Sequence, residues 1–376
     1  MKLPAQATLA AAHGRVRPAR RARDSSGWVG RFAREHFPLV FLTAAYIVAG
    51  VAVQELTGLD IIREVGWASI SMGAFMGLLF AGIAAGSLLA VYLLSRGLQR
   101  VTGGQRAITS TWADYRSHLT PYRLLSLFIP FFLLVPLMNV FVGFKGAIPE
   151  IQPFAWDPEL MRLDRALHLG HDPWRLLQPL LGHPWLTHAL DALYYFWFPI
   201  KMLFLIWMAW SPRRELRNQF LLTFFALWIV LGTLVATAFS SAGPCYYGLV
   251  TGLPDPFVPL MDYLREVDRT YALTALDVQA HLWAGYASGR MHLIEGIAAM
   301  PSLHVALPVL YAICGWKVDR RLGIAFGIYA LVILFGSVHL GWHYAVDGYV
   351  TLLLVPFVWW GAGHAQRAWE GRATRT

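Results

Sequence analysis

Two histidines and one aspartate stand out by type and spacing. In the stretch Leu340-Gly341-Trp342-His343-Tyr344-Ala345-Val346-Asp347, an imidazole and a carboxylate lie four residues apart. On a helix that separation puts them on one face, about one turn apart. A carboxylate within hydrogen-bond reach fixes the imidazole tautomer and stabilises the imidazolium, leaving the other ring nitrogen free to attack. A second imidazole, His304, follows Pro301 and Ser302 at the start of a different apolar run, where it can protonate a leaving oxygen. Helix starts also present backbone N–H groups and a positive dipole end, which suits a phosphate. The trio is therefore a candidate for attack on a phosphate ester, with His343 as nucleophile, Asp347 orienting it and His304 as the proton donor.

The elements that must position these residues are apolar runs. Runs long enough to cross a bilayer, roughly 17 to 25 residues, cover residues 38–55, 67–95, 124–141, 190–210 and 220–239. Three closely spaced, shorter runs follow, at 302–316, 322–337 and 344–361. No segment alternates as a strand would, so the fold class expected is all-α: a polytopic membrane protein with about eight transmembrane helices. Residues 1–37 form a basic tail, 38–122 two added spans with a loop, 123–361 a six-helix catalytic bundle, and 362–376 a second tail. Two long connections, 143–189 and 240–301, exceed ordinary loop lengths, and such loops carry function or form lids. Within the first, residues 173–181 (PWRLLQPLL) have the composition of a short interfacial helix.

Composition supports this reading. The 376 residues are 57% hydrophobic and only 14% charged, against about 25% charged in soluble domains. The net charge of +9 is concentrated in the segments of one membrane side. With both termini cytoplasmic, the cytoplasmic segments hold about 22 Lys and Arg and the opposite loops about 8. The opposite loops are instead acidic, with Asp157, Glu159, Asp164, Asp255, Asp262, Glu266 and Asp268. That distribution orients a membrane protein and argues against nucleic acid as a partner. It places the starts of the His304 and His343 helices together on the periplasmic, lumenal or external side. The two cysteines, Cys245 and Cys314, fall at depths too different for a disulfide and are read as unpaired thiols. No cleavable signal peptide is evident, so the first span is expected to be an uncleaved anchor.

The same residues resemble the type 2 phosphatidic acid phosphatase superfamily. Its second motif, Pro-Ser-x-His, is matched by Pro301, Ser302 and His304, and its third, Gly-x-His-x-x-x-Asp, by Gly341, His343 and Asp347. The resemblance implies a phosphohistidine on His343, Asp347 orienting it, His304 as acid and then base, and no metal or cofactor. Two departures stand beside it: the first motif, Lys-x6-Arg-Pro, is absent, and Ser337 occupies the place of the third motif's arginine. The pattern is similar to the branch containing fungal inositol phosphorylceramide synthase, including residues 164–174 (DRALHLGHDPW), 194–199 (YYFWFP) and 241–247 (SAGPCYY). The branch implies transfer of a phosphorylated head group from a phospholipid donor to a lipid or glycan alcohol acceptor, or to water in a phosphatase.

Candidates to replace the missing cations are Arg290, just before the Pro-Ser-Leu-His motif, and Lys201, inside a span where a lysine faces a cavity or a partner such as Asp191. Ser302, His339, Tyr344, Tyr246 and Tyr247 complete the candidate substrate- or phosphate-binding set, although anchoring at the interface explains the tyrosines equally well. Two other classes remain open. The trio has the makeup of a two-histidine, one-carboxylate metal site. A transporter or lipid-binding protein would instead use buried histidines as proton relays.

Overall fold

The computed structural model describes residues 27–62, 120–289 and 296–373. The expected span at 67–95, the loop after it, most of the basic tail and Arg290 lie outside the described residues. The described chain is helical throughout. Long helices are α1 (Gly27–Thr57), α2 (Pro121–Ile151), the pair α5 (Pro184–Tyr195) and α6 (Trp197–Ala209), α7 (Arg214–Ile229, continued through a wider turn to Ala238), α11 (Leu303–Val318), α12 (Arg320–His339) and α13 (Ala345–Ala373). Among the described residues, six helical stretches are long and apolar enough to cross a membrane, and Leu303–Val318 is a shorter apolar one. The chain is an integral membrane protein. Large side chains such as Leu203, Leu353 and Phe357 are more than 60% exposed, and in hydrocarbon that exposure carries no penalty.

Helix boundaries follow local chemistry. Thr120 caps α2 ahead of Pro121, Ser302 caps α11, and Asp319 caps α12 through the N–H groups of Arg321 and Leu322. In lipid the helices associate by close packing rather than by expulsion of water. The α11–α12 hairpin shows this at Gly315, where an added Cβ would sit 2.8 Å from the backbone nitrogen of Gly323. Aromatic rings fill the centre: Phe204 stacks on Tyr311 at 4.2 Å and meets Phe220 and Phe326.

The two long connections are folded, not open. The first contains α3 (Asp157–Leu167) and α4 (Pro173–Leu181), the latter where a short helix was expected. The second contains a tight turn at Pro244–Tyr246, then α8 (Tyr247–Thr251), α9 (Val258–Asp268) and α10 (Thr274–Ala287). These short helices cap one end of the bundle. The opposite end is tied by ions: Glu35 of α1 meets Arg217 and Arg214 of α7 and the hydroxyl of Tyr122 on α2.

Candidate active site

His343 and Asp347 meet, though not on one helix. His343 lies in the turn between α12 and α13, and only Asp347 is helical. The Nδ1 atom of His343 is 3.1 Å from Oδ2 of Asp347. The same oxygen accepts the Tyr344 N–H at 3.1 Å, the reach-back half of a capping box. Asp347 is fully buried and His343 is 7% exposed. A carboxylate can only accept, so with Asp347 ionised the ring proton sits on Nδ1 and Nε2 keeps its lone pair.

The turn carrying His343 is held from outside by α3. Asp164 accepts the N–H groups of Ala345 and Val346 at 2.8 and 2.9 Å, capping α13 from another helix. Two turns earlier, Asp157 accepts the N–H groups of Ala242 and Gly243, both at 2.8 Å, and the Tyr344 hydroxyl, also at 2.8 Å. Burial raises both carboxyls, Asp157 to about 6 and Asp164 to about 7, outweighing the backbone donors that favour their ionised forms. The α13 start is therefore already occupied by a protein carboxylate. The expectation that it offers free N–H groups to a phosphate does not hold there.

Residues 240–245 stitch the two histidine-bearing segments together. Ser241 accepts from Ala299 through its carbonyl and from Met300 through its hydroxyl, just ahead of α11. On the other side, the Cys245 N–H donates to the Gly341 carbonyl at 2.9 Å. Gly243 has φ +101°, and a Cβ there would meet the Trp342 carbonyl oxygen at 2.6 Å, so only glycine fits.

His304 occupies the first turn of α11. Its ring lies against Tyr194 at 4.6 Å and Trp197 at 4.5 Å, and 6.4 Å from the His343 ring, centroid to centroid. At that separation the two imidazoles border one common space. Among the described residues no group of three His, Cys, Asp or Glu is arranged to hold a metal ion. Both cysteines are free, as sulfurs at different depths should be.

The remaining candidates have protein partners. Ser302 is fully buried and accepts from the Val305 N–H. His339 is fully buried, with Nε2 2.9 Å from the Thr187 hydroxyl. The Tyr246 hydroxyl donates to the Gln279 carbonyl, and Tyr247 packs edge-on against Phe257. Lys201 does not meet Asp191, which accepts the N–H groups of Thr274 and Ala275 at the start of α10. The Lys201 ammonium instead sits 4.5, 5.0 and 5.4 Å from the ring centroids of Trp197, Phe198 and Trp228.

The reading from sequence passed over Lys145, because the third apolar run was ended at Phe141. The helix continues to Ile151 and carries Lys145 inward, close enough for its field to reach His304. The clamping role of Asp157 and Asp164 was also missed, although their place in an acidic external loop was the available signal. No curated protein and no solved structure matches the chain significantly. Residues 158–360, which contain both histidines, Asp347 and the Asp164 clamp, match the family model of the PAP2 superfamily, and the chain belongs to that superfamily of phosphatases and phosphotransferases.

Proposed function

We propose that the protein is a lipid phosphotransferase that moves a phosphorylated head group from a phospholipid to a lipid or glycan hydroxyl through a phosphohistidine on His343. The observation that carries this reading is the pairing of His343 with buried Asp347, facing the second imidazole of His304 from another helix. In the first half-reaction Nε2 of His343 attacks phosphorus, the bond to the glyceride oxygen breaks, and His304 in its protonated form gives that oxygen a proton. In the second, the acceptor hydroxyl gives its proton to His304, its oxygen attacks phosphorus, and the N–P bond breaks. Both imidazoles return to their starting state.

Transfer to an alcohol rather than to water is favoured by the surroundings of His304. Its ring is flanked by Tyr194, Trp197 and Phe198, and His343 is almost enclosed. Such walls admit acyl or sphingoid chains more readily than bulk water. The branch resemblance favours phosphatidylinositol as donor and a sphingoid alcohol as acceptor. The distribution of Lys and Arg favours cytoplasmic termini and a site facing the periplasm or lumen.

The test uses purified full-length protein in vesicles containing head-group-labelled phosphatidylinositol, with and without ceramide. A new labelled lipid that forms only with ceramide supports the transferase. Release of free head-group phosphate in both conditions points to water as the acceptor and removes the transferase reading.

A further inference from the structure

The two lysines near the site sit in opposite surroundings. Lys201 is lodged among three aromatic rings, whose faces offset the loss of water around its ammonium. Lys145 has no hydrogen bond, ion pair or ring contact among the described residues. It comes from α2, outside the stretch that matches the family. Burying a cation without a counter-charge is costly, so such a residue persists where something else supplies the negative charge.

Three observations say where that charge would come from. Lys145, Lys201 and His304 are each half-buried, neither sealed in the core nor out on the surface. The fields of both lysines and of His343 reach His304. The segment leading into the Pro-Ser-Leu-His turn lies directly on the Lys145 stem: a Cβ on Gly296 would be 2.9 Å from Lys145 Cγ. The nearby carboxylates are spent elsewhere, since Asp157, Asp164 and Asp191 each hold two backbone N–H groups and Asp347 holds His343. Among the described residues, the two lysines whose fields reach His304 have no carboxylate partner.

We propose that Lys145 is the cation that holds the phosphate of the substrate between His304 and His343, while Lys201, fixed on Trp197, is a positioning residue that reaches the site through the Trp197 ring, which lies tilted against His304. This rests on the phosphoryl-transfer reading above and adds a contact from a helix outside the family match. An ammonium there donates hydrogen bonds to the equatorial phosphate oxygens as negative charge builds on them. It stands in place of the arginines whose motif positions are missing from this chain.

The experiment measures binding of orthovanadate, which mimics the phosphorus centre, to the full chain in detergent, together with the thermal midpoint without ligand. The wild type should bind saturably. Lys145→Met should weaken vanadate at least tenfold while raising the ligand-free midpoint, because a half-buried charge with no carboxylate partner among the described residues has been removed; Lys145→Arg should stay within about threefold of wild type. Lys201→Met should weaken vanadate less and lower the midpoint, because its aromatic partners lose their cation. A Lys145→Met protein that binds vanadate like wild type, or a Lys145→Arg protein that binds as poorly as Lys145→Met, overturns the assignment and leaves the phosphoryl-transfer reading standing. A wild type that neither binds vanadate nor cleaves a phosphate ester overturns both.

Discussion

The two ends of the bundle use buried carboxylates in opposite ways. At the end away from the histidines, Glu35 is spent on cations, bonding Arg217 and Arg214 and taking the Tyr122 hydroxyl. At the histidine end, Asp172 likewise pairs with Arg165 and Arg175, but Asp157, Asp164 and Asp191, the carboxylates that hold the turns, are spent on backbone N–H groups. The first arrangement ties α1, α2 and α7 together and cancels charge. The second fixes loops and leaves the local lysines uncancelled. One end is built as a joint; at the other, the anion that we propose binds there would meet the lysines.

The comparison predicts where substitutions abolish chemistry and where they only loosen the molecule. The largest effects belong to the reacting pair. His343→Ala should lower turnover by about 10⁴-fold or more, and Asp347→Asn by about 10²- to 10⁴-fold, because an amide can leave the imidazole in the wrong tautomer. Both should keep near-wild-type thermal midpoints; an active His343→Ala enzyme would remove the proposed nucleophile. Next comes the joint. Glu35→Ala leaves Arg217 buried without a counter-charge and should cost about 3 to 5 kcal/mol of stability, read as a lowered midpoint, with turnover by the surviving folded protein unchanged. If turnover falls as far as it does in Asp347→Asn, the two ends are not separable. Asp164→Asn follows, since an amide oxygen can accept only one of the two N–H groups well. About 1 to 3 kcal/mol is expected for the donor left unmet, with a drop in turnover that Glu35→Ala does not show.

Much of this was legible in sequence for a physical reason. Hydrocarbon demands long apolar helices, so six of the expected spans reappear as long apolar helices among the described residues, and the candidate histidines lie where two of the apolar helices begin. The register of the ends was less legible. Because α2 continues ten residues beyond the apolar run that ended at Phe141, Lys145 was read as part of a loop. The turn Leu340–Tyr344 was read as helix because spacing of four residues fits a helix, and a turn closed by a capping carboxylate produces the same contact. The roles of Asp157 and Asp164 were hidden because each acts on backbone N–H groups far away in sequence, at Ala242, Gly243, Ala345 and Val346. A backbone donor carries no mark of its partner in the side-chain pattern. Lys201 shows the reverse case: a charged residue in an apolar run was noticed, and Trp197 and Phe198 flank it on its own helix, but Trp228 of α7 is brought to it only by folding.

The smallest predicted effect tests which force governs the clamp. Asp164 is raised to about 7 by burial, against the pull of two backbone donors and with some help from the nearby Asp347 charge; Asp157 is raised to about 6 for the same leading reason. A carboxyl whose folded value lies above its unfolded value of about 3.9 binds more protons when folded than when unfolded. Its contribution to stability is therefore full below pH 4 and is lost as the pH climbs through about 6 for Asp157 and about 7 for Asp164. The wild-type thermal midpoint in detergent should fall by a few degrees between pH 5 and pH 8 relative to Asp164→Asn, which cannot titrate at that position. Using the difference between the two proteins cancels the histidines and detergent effects common to both. A difference that grows in favour of wild type with rising pH would mean that the N–H groups of Ala345 and Val346 hold the carboxylate ionised more strongly than burial opposes it, and the clamp would then be an anion-stabilised cap.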